Sequence, residues 1–292
     1  MIKYMKYLSV LLAAVLIVSC GEEKLDPSSQ VLDSTVEQNE FDEWLYDNYV
    51  LPYNIEFLYR MVYKESDMNY YLVPAEYNKS IQIAKLMIHL CLEAYDDVTG
   101  SRDFIRTYFP KMIHIIGSAA YRNNGTMVLG TAEGGLKITL YMINSLQLDP
   151  EYLNEYYFHT MHHEFAHILH QTKPYSSDFD MISGSEYVND SWNSTYSSDE
   201  EAQQVGFITP YASSEPNEDF VELLSTYITN TPAYWSSMLK TAGTTGSGII
   251  QQKFDIVYNY MKNTWGIDLD ELRDIILQRQ SEIGQLNLDT LY

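Results

Sequence analysis

The stretch FHTMHHEFAHILHQ, residues 158–171, holds five of the seven histidines of the chain. Asp149 followed by Pro150 is a strong start for a helix that leads into this stretch, because an acid caps free N–H groups and proline suits the first helical position. At ~100° per residue, the side chains of such a helix sort into two faces. A core-facing stripe, within ~80°, consists of Phe158, Met161, Phe165 and Ile168, and an opposite sector of the same width holds Tyr152, Tyr156, His159, His163, His167 and His170. The spacing predicts one continuous helix over 150–171, with one face in the core and one face rich in histidine.

His163 and His167 stand four residues apart, so their imidazoles project from one face about 6 Å apart and can converge on one metal ion. Glu164 lies round the helix, where it can reach a metal-bound water without being a ligand. This is the HExxH pattern of zinc hydrolases. We therefore predict one Zn²⁺ ion on His163 and His167, with Glu164 as general base. The alternative is a helix that is rich in histidine and binds no metal.

The remaining histidines of the stretch have other predicted places. His162 points ~100° away from His163, toward the apolar stripe, and is expected to pack in the core. His170 lies ~10.5 Å along the helix axis from His163, which is too far for a third ligand on the same helix. His159 and His170 are expected to line a binding cleft or to hydrogen-bond the ligating histidines.

A catalytic zinc ion needs a third protein ligand and an open position for water. The arrangement HExxHxxGxxH does not apply, because His170 occupies the position of the glycine and Lys173 that of the third histidine. A glutamate from a second helix is the remaining common solution.

The segment TPYASSEPNEDFVELLSTY, residues 209–227, offers such a glutamate. Pro216 can open a helix on which Glu218 and Glu222 stand four apart on one face. Glu218 is the favoured ligand, with Glu222 accepting the N–H of a ligating histidine. Glu222 and Glu215 remain alternative ligands, and an acidic, solvated helix start with no ligand remains the alternative to all three.

The N-terminus predicts export. Residues 1–19 contain two lysines and the apolar run LSVLLAAVLIV, the features of a signal peptide. LIVSCG resembles the lipobox of bacterial lipoproteins, which implies that Cys20 is acylated and anchors the protein. Residues 20–38 then form a polar tether, whose acidic start resembles the surface-export tethers of Bacteroidetes lipoproteins. We expect an exported protein, lipid-anchored to the outer membrane; the tether favours display at the cell surface, and display on the periplasmic side is the alternative.

The composition predicts a folded domain over residues 39–292, with no long linker and no repeat. A net charge of −22 argues against nucleic acid and anionic lipid surfaces as partners, so the lipid anchor is the only membrane contact expected. Cys91, in an apolar helical pattern, is expected to be buried and unreactive. Predicted strands lie within 53–61, 111–118, 126–132 and 136–143, and predicted helices at 78–95, 150–171, 216–230, 249–263 and 268–282, with an irregular stretch over 172–215 and the connector TAGTTGSG at 241–248. Strands first and helices later indicate an α+β fold.

HEFAH followed after a long gap by NEDFVE resembles the gluzincin pattern. This resemblance implies His163, His167 and Glu218 as zinc ligands, Glu164 as general base and Glu222 as the partner of a ligating histidine. Tyr211, seven residues before Glu218, is similar in placement to the tyrosine that faces the oxyanion in lethal-factor-type enzymes; the alternative is a packing tyrosine.

The lipobox, HHEFAHILHQ, FDMISGSEYV, GFITPYA and NEDFVELL, in this order, resemble the substrate import-associated zinc metallohydrolase lipoproteins of Bacteroidetes, also described as zinc-binding metallopeptidases. The resemblance implies a zincin-like α+β domain, in which a small mixed sheet and the HExxH helix precede a mainly helical C-terminal half. It also implies a TonB-dependent nutrient importer as neighbour.

Two functions follow. The first is a zinc metallopeptidase that acts on a peptide or protein substrate through a zinc-bound water activated by Glu164. The second is a non-catalytic surface lipoprotein that binds peptide or glycan for an importer and keeps zinc for structure. Glu164 favours the enzyme, because a structural zinc site has no use for a base and is closed by four protein ligands.

Overall fold

The structure, a computed structural model, describes residues 37–67, 69–121, 127–133 and 135–292. Asn39–Tyr292 form one compact unit. The predicted signal peptide (1–19), the anchor Cys20 and the tether up to residue 36 lie outside the described residues. Within the described ranges, no helix has the length and apolar character needed to cross a membrane.

The described residues form the strands β1 (Glu56–Leu58), β2 (Met112–Ile115), β3 (Ala120–Tyr121), β4 (Met127–Val128), β5 (Gly130–Glu133) and β6 (Lys137–Leu140). The central element is a four-stranded mixed sheet in the order β1-β2-β6-β5, and β3 and β4 form a separate antiparallel pair. β1, β2 and β6 run parallel, with Ile113 opposite Ile138, and β5 joins the end antiparallel to β6. All four predicted strand regions therefore contain strands, although β1 covers only three residues of 53–61.

Fourteen α-helices lie in the described part of the chain. They are α1 (Glu40–Leu45), α2 (Leu51–Tyr53), α3 (Tyr77–Met87), α4 (Glu93–Thr99), α5 (Asp103–Tyr108), α6 (Pro150–Leu153), α7 (His159–Thr172), α8 (Asp178–Ser183), α9 (Trp192–Thr195), α10 (Asp199–Gln204), α11 (Pro216–Thr229), α12 (Pro232–Thr241), α13 (Gly243–Tyr260) and α14 (Leu269–Ser281). The sheet precedes α6 to α14 in the chain, so the predicted α+β fold with a mainly helical C-terminal half is confirmed.

One hydrophobic core joins the sheet to the helices. α7 buries its apolar stripe in this core: Phe158, Met161 and Phe165 are at most 1% exposed. α11 packs along α7 and is itself buried over nearly all of its length. Cys91 is fully buried, as predicted.

The prediction of an irregular stretch over 172–215 is wrong in part, because α8, α9 and α10 form there. The connector predicted over 241–248 is also wrong: most of it forms the first two turns of α13. Gly246 explains the error. A Cβ atom at this position would lie 2.0 Å from the backbone oxygen of Gln203, so glycine there permits close helix packing rather than a loop.

The helix predicted over 150–171 is interrupted by a π-helical turn, Asn154–Phe158. The wider turn rotates the preceding residues relative to a continuous α-helix. Tyr152 and Tyr156 stack on each other across this turn, with ring centroids 4.4 Å apart.

Candidate metal centre

Two helices supply the side chains that the sequence singles out. α7 is anchored by its apolar stripe, which turns His163 and His167 toward α11. α11 begins at Pro216, directly after the extended Glu215, and its first two turns present Glu218 and Glu222 toward α7. The i, i+4 spacing on each helix thus becomes a face-to-face arrangement between helices.

Three donor atoms converge between the helices. Oε2 of Glu218 lies 3.0 Å from Nε2 of His163 and 3.3 Å from Nε2 of His167. A tetrahedral zinc ion with bonds of about 2.0–2.1 Å places neighbouring ligand atoms about 3.3 Å apart. Two imidazole nitrogens and one carboxylate oxygen at this spacing therefore fit a zinc ion.

Glu222 supports His163 from the opposite side of its ring. Oε1 of Glu222 lies 2.8 Å from Nδ1 of His163 and 2.8 Å from Nε2 of His159. Its other oxygen, Oε2, accepts a hydrogen bond of 2.8 Å from the Thr209 hydroxyl. His159, His163 and Glu222 thus form a second close group of donor atoms, but their 2.8 Å separations are those of N–H···O hydrogen bonds and shorter than the edge of a zinc tetrahedron. Glu222 accordingly fixes the tautomer of His163 and leaves Nε2 for a metal.

His167 has a different partner. Its Nδ1 lies 3.0 Å from Nε2 of His170, which is buried against Phe220 and Tyr175. With a metal ion on Nε2 of His167, Nδ1 would carry the proton and His170 would accept it. The sequence signalled this contact only through the i, i+3 spacing of the two histidines.

The carboxylates around His163 favour a positive charge at this position. Burial lowers the pKa of His163, but hydrogen bonds to Glu218 and Glu222 outweigh burial and raise the pKa to about 10. Burial raises the pKa of Glu218, but hydrogen bonds to the two histidines outweigh it and bring the pKa to about 2. Two carboxylates around one imidazole thus favour a positive charge between them.

Burial holds two further histidines of this helix, His162 and His170, in the neutral form. Burial, with a smaller effect of the charge of His167, lowers the pKa of His170 to about 4. Burial lowers the pKa of His162 to about 3. His162 is fully buried with its Nδ1 3.2 Å from the Tyr95 hydroxyl, so it packs in the core as predicted.

The donor atoms open into a cleft of about 630 Å³. Its floor and walls come from α7, the start of α11, the chain from β4 to β5, and the segment that carries Trp192 and Tyr211. The lining includes Glu164 and all four histidines of the predicted histidine face, His159, His163, His167 and His170. Tyr152 and Tyr156, which the sequence predicts on the same helix face, are not among the residues that line the cleft.

Tyr211 lies beside His163 in the cleft. It begins a 3-10 turn, Tyr211–Ser213, and its ring stacks on that of His163 with centroids 6.0 Å apart. Trp192 packs edge-on against Tyr211 at 5.2 Å. Trp192 is a cleft residue that the sequence did not single out, since no spacing relates it to the HExxH helix.

Glu215, the third glutamate of the predicted set, lies at the N-terminal end of α11 and lines the cleft. Neither close group of donor atoms in the described residues includes it.

An α+β fold in which the HExxH helix packs against a second, glutamate-bearing helix beside a cleft is typical of a class of metallohydrolases. The family model described as "Putative zinc-binding metallo-peptidase" matches residues 34–270. The chain belongs to this family, and the family resemblance seen in the sequence is confirmed.

A solved structure with a similar description agrees. The crystal structure of a "putative zinc-binding metallo-peptidase" from Bacteroides caccae is 48% identical, with a TM-score of 0.76. The match covers 88% of this chain and 99% of that one. A search of curated proteins found no match.

Proposed function

We propose that this protein is a zinc-dependent peptidase of the gluzincin type. The observation that carries the proposal is the convergence of His163 Nε2, His167 Nε2 and Glu218 Oε2 on one point of a cleft that Glu164 also lines. In this proposal His163, His167 and Glu218 hold one Zn²⁺ ion. A bound zinc ion would supply a Lewis acid for the scissile carbonyl and lower the pKa of water at its open position.

The side chains of the protein carry the proton transfers. Glu164 takes a proton from the attacking water and passes it to the leaving amine nitrogen. The Tyr211 hydroxyl donates a hydrogen bond to the carbonyl oxygen as negative charge develops there. Glu222 holds the Nδ1 proton of His163, so that this ring keeps one orientation throughout.

An extended peptide suits the cleft. β5 is the terminal strand of the four-stranded sheet, and Gly130 and Thr131 of this strand line the cleft. An edge strand binds an extended chain through main-chain hydrogen bonds, independent of its side chains. The peptide bond is therefore the substrate bond that we favour.

The cellular setting rests on the sequence alone. The lipobox that ends at Cys20 supports a lipid-anchored, exported protein of the outer membrane. The resemblance to import-associated lipoproteins supports a TonB-dependent importer as neighbour, with a peptide or protein substrate and no nucleic acid.

The test is Glu164→Gln, which keeps size and polarity but removes the base. Wild-type protein should bind one zinc ion per chain, cleave members of a peptide library and stop when zinc is chelated. Glu164→Gln should bind zinc equally and lose at least about 100-fold of the turnover. A variant that cleaves at the wild-type rate would overturn the role of Glu164. Zinc binding without any cleavage by the wild type would favour the binding lipoprotein instead.

A further inference from the structure

A fully buried ion pair lies behind the metal centre. Lys253 of α13 and Asp219 of α11 both have side chains that are 0% exposed, and Nζ of Lys253 lies 2.5 Å from Oδ2 of Asp219. Asp219 follows Glu218 directly, so the pair is attached to the first turn of the helix that carries the proposed third ligand.

The pair contacts both ends of a long segment, residues 187–207, from which Trp192 reaches the cleft. The Tyr187 hydroxyl donates a 2.8 Å hydrogen bond to Oδ2 of Asp219. Lys253 donates a 2.9 Å hydrogen bond to the backbone oxygen of Gly206, and its Nζ lies 4.1 Å from the ring centre of Phe207. Both ends of the segment 187–207 therefore contact the same buried ion pair.

Each end of this segment is close in the chain to residues that contact the candidate metal centre. Beyond Tyr187, the backbone N–H groups of the next two residues donate to the oxygens of Ser213 and Ser214, and Trp192 then packs on Tyr211. Beyond Gly206, the chain reaches Thr209, whose hydroxyl holds Glu222.

Stability alone does not account for such a pair. Removing two charges from water costs several kcal/mol per ion, and apolar residues of similar volume often stabilise a protein equally well or better. Apolar contacts depend little on orientation, whereas hydrogen bonds require a defined geometry. Apolar residues would therefore not fix the orientation of the groups around them as the ion pair does.

We propose that Tyr187, Asp219 and Lys253 form a positioning network. This network fixes the position, relative to the ligand helix α11, of the part of the cleft wall that carries Trp192 and Tyr211. It also fixes the position of the hydroxyl group that supports Glu222. These are positioning residues, since they act through Thr209, Glu222 and the wall rather than on substrate. The inference rests on the metal site proposed above, with Glu218 as a ligand.

Two variants separate positioning from folding. Asp219→Leu/Lys253→Met removes both charges together, so that neither is left buried alone. Tyr187→Phe removes only one oxygen atom and cuts the link between the wall and Asp219. The control is Arg279→Met, which breaks a partly buried network with Glu93 and Asp97, at residues that do not line the cleft.

Zinc affinity, measured by competition with a chelator, and the midpoint of thermal unfolding are compared for all proteins. We expect the double variant to bind zinc about tenfold more weakly at a near wild-type midpoint. Tyr187→Phe should weaken zinc binding about threefold. Tyr187→Phe should also increase the quenching of Trp192 fluorescence by acrylamide. The contribution of Trp192 is obtained by subtracting the signal of the same proteins with the additional substitution Trp192→Phe. Arg279→Met should lower the midpoint and leave zinc affinity unchanged.

Wild-type zinc affinity and wild-type quenching in Tyr187→Phe would overturn the positioning network, whether or not the double variant folds. A wild-type protein that binds no zinc would instead overturn the proposed function, so the two failures are distinguishable.

Discussion

Glu218 is the single residue that decides whether the two helices share one metal ion, because its Oε2 faces both Nε2 atoms. Glu218→Gln should lower zinc affinity by at least about 100-fold, since it removes one of the three proposed ligands together with its charge. Glu215→Gln, three residues earlier in the same cleft, should keep the wild-type affinity. Chelator competition measures both. Equal losses in the two variants would contradict the assignment of Glu218.

His170 is expected to matter for zinc affinity although it is not a ligand. His170→Phe leaves the Nδ1–H group of His167 without its acceptor at a nearly buried position, which should weaken zinc binding about tenfold. His170→Gln offers a side-chain oxygen in place of the imidazole nitrogen and should recover part of this loss. Zinc affinities of the two variants, compared at one pH, give the answer. Wild-type affinity in His170→Phe would show that His167 needs no partner at Nδ1.

Spacing along a helix made part of the site predictable at the residue scale. The pairs His163/His167 and Glu218/Glu222 are each four residues apart, so one face of a helix places them together before any tertiary structure is known. The pairing of Lys253 with Asp219 spans 34 residues and depends on how α13 packs, and Trp192 reaches the cleft through a segment without periodicity. No local pattern in the sequence signals these contacts.

Among the elements, α13 shows where sequence patterns fail. Glycines normally mark connectors, but Gly246 lies inside a helix. Glycine is needed at this position because the backbone of α10 comes too close to leave room for a side chain. The π-helical turn before α7 was equally invisible, since an amphipathic pattern assumes an unchanged period. By contrast, the ends of α11 and α14 lie within one residue of the helices predicted at 216–230 and 268–282, because their apolar residues follow the α-helical period over three turns or more.

Gly246 and Gly248 give a matched test of this packing. Gly246→Ala places a Cβ atom 2.0 Å from the backbone oxygen of Gln203, so α10 and α13 must separate, and we expect a loss of about 1–3 kcal/mol in the free energy of unfolding. Gly248→Ala meets no atom within 4 Å and should stabilise α13 by about 0.5–1 kcal/mol. Urea denaturation measures both values. A stabilising Gly246→Ala would show that this close approach is not required.

At the scale of the whole molecule, charge is the property that bears most on function. The chain carries a net charge of −22. The described lining of the cleft contains Glu164, Glu215, Glu218 and Glu222, and no lysine or arginine among the described lining residues. A cleft with charges of one sign and low-dielectric walls concentrates its electric field and raises the local concentration of substrates of opposite charge. Even with the two positive charges of a zinc ion, four carboxylates leave this lining negative.

This field predicts a preference among peptides of equal length. A peptide flanked by lysines should have a kcat/KM about tenfold higher than the same peptide flanked by glutamates at low salt. Raising the ionic strength to about 0.5 M shortens the Debye length to a few ångströms, so this ratio should fall toward one. Steady-state kinetics of the two peptides over a salt series measure the ratio, with an uncharged peptide of the same core sequence as control. A ratio that does not change with salt would mean that contacts with individual side chains, and not the field of the molecule, select the substrate.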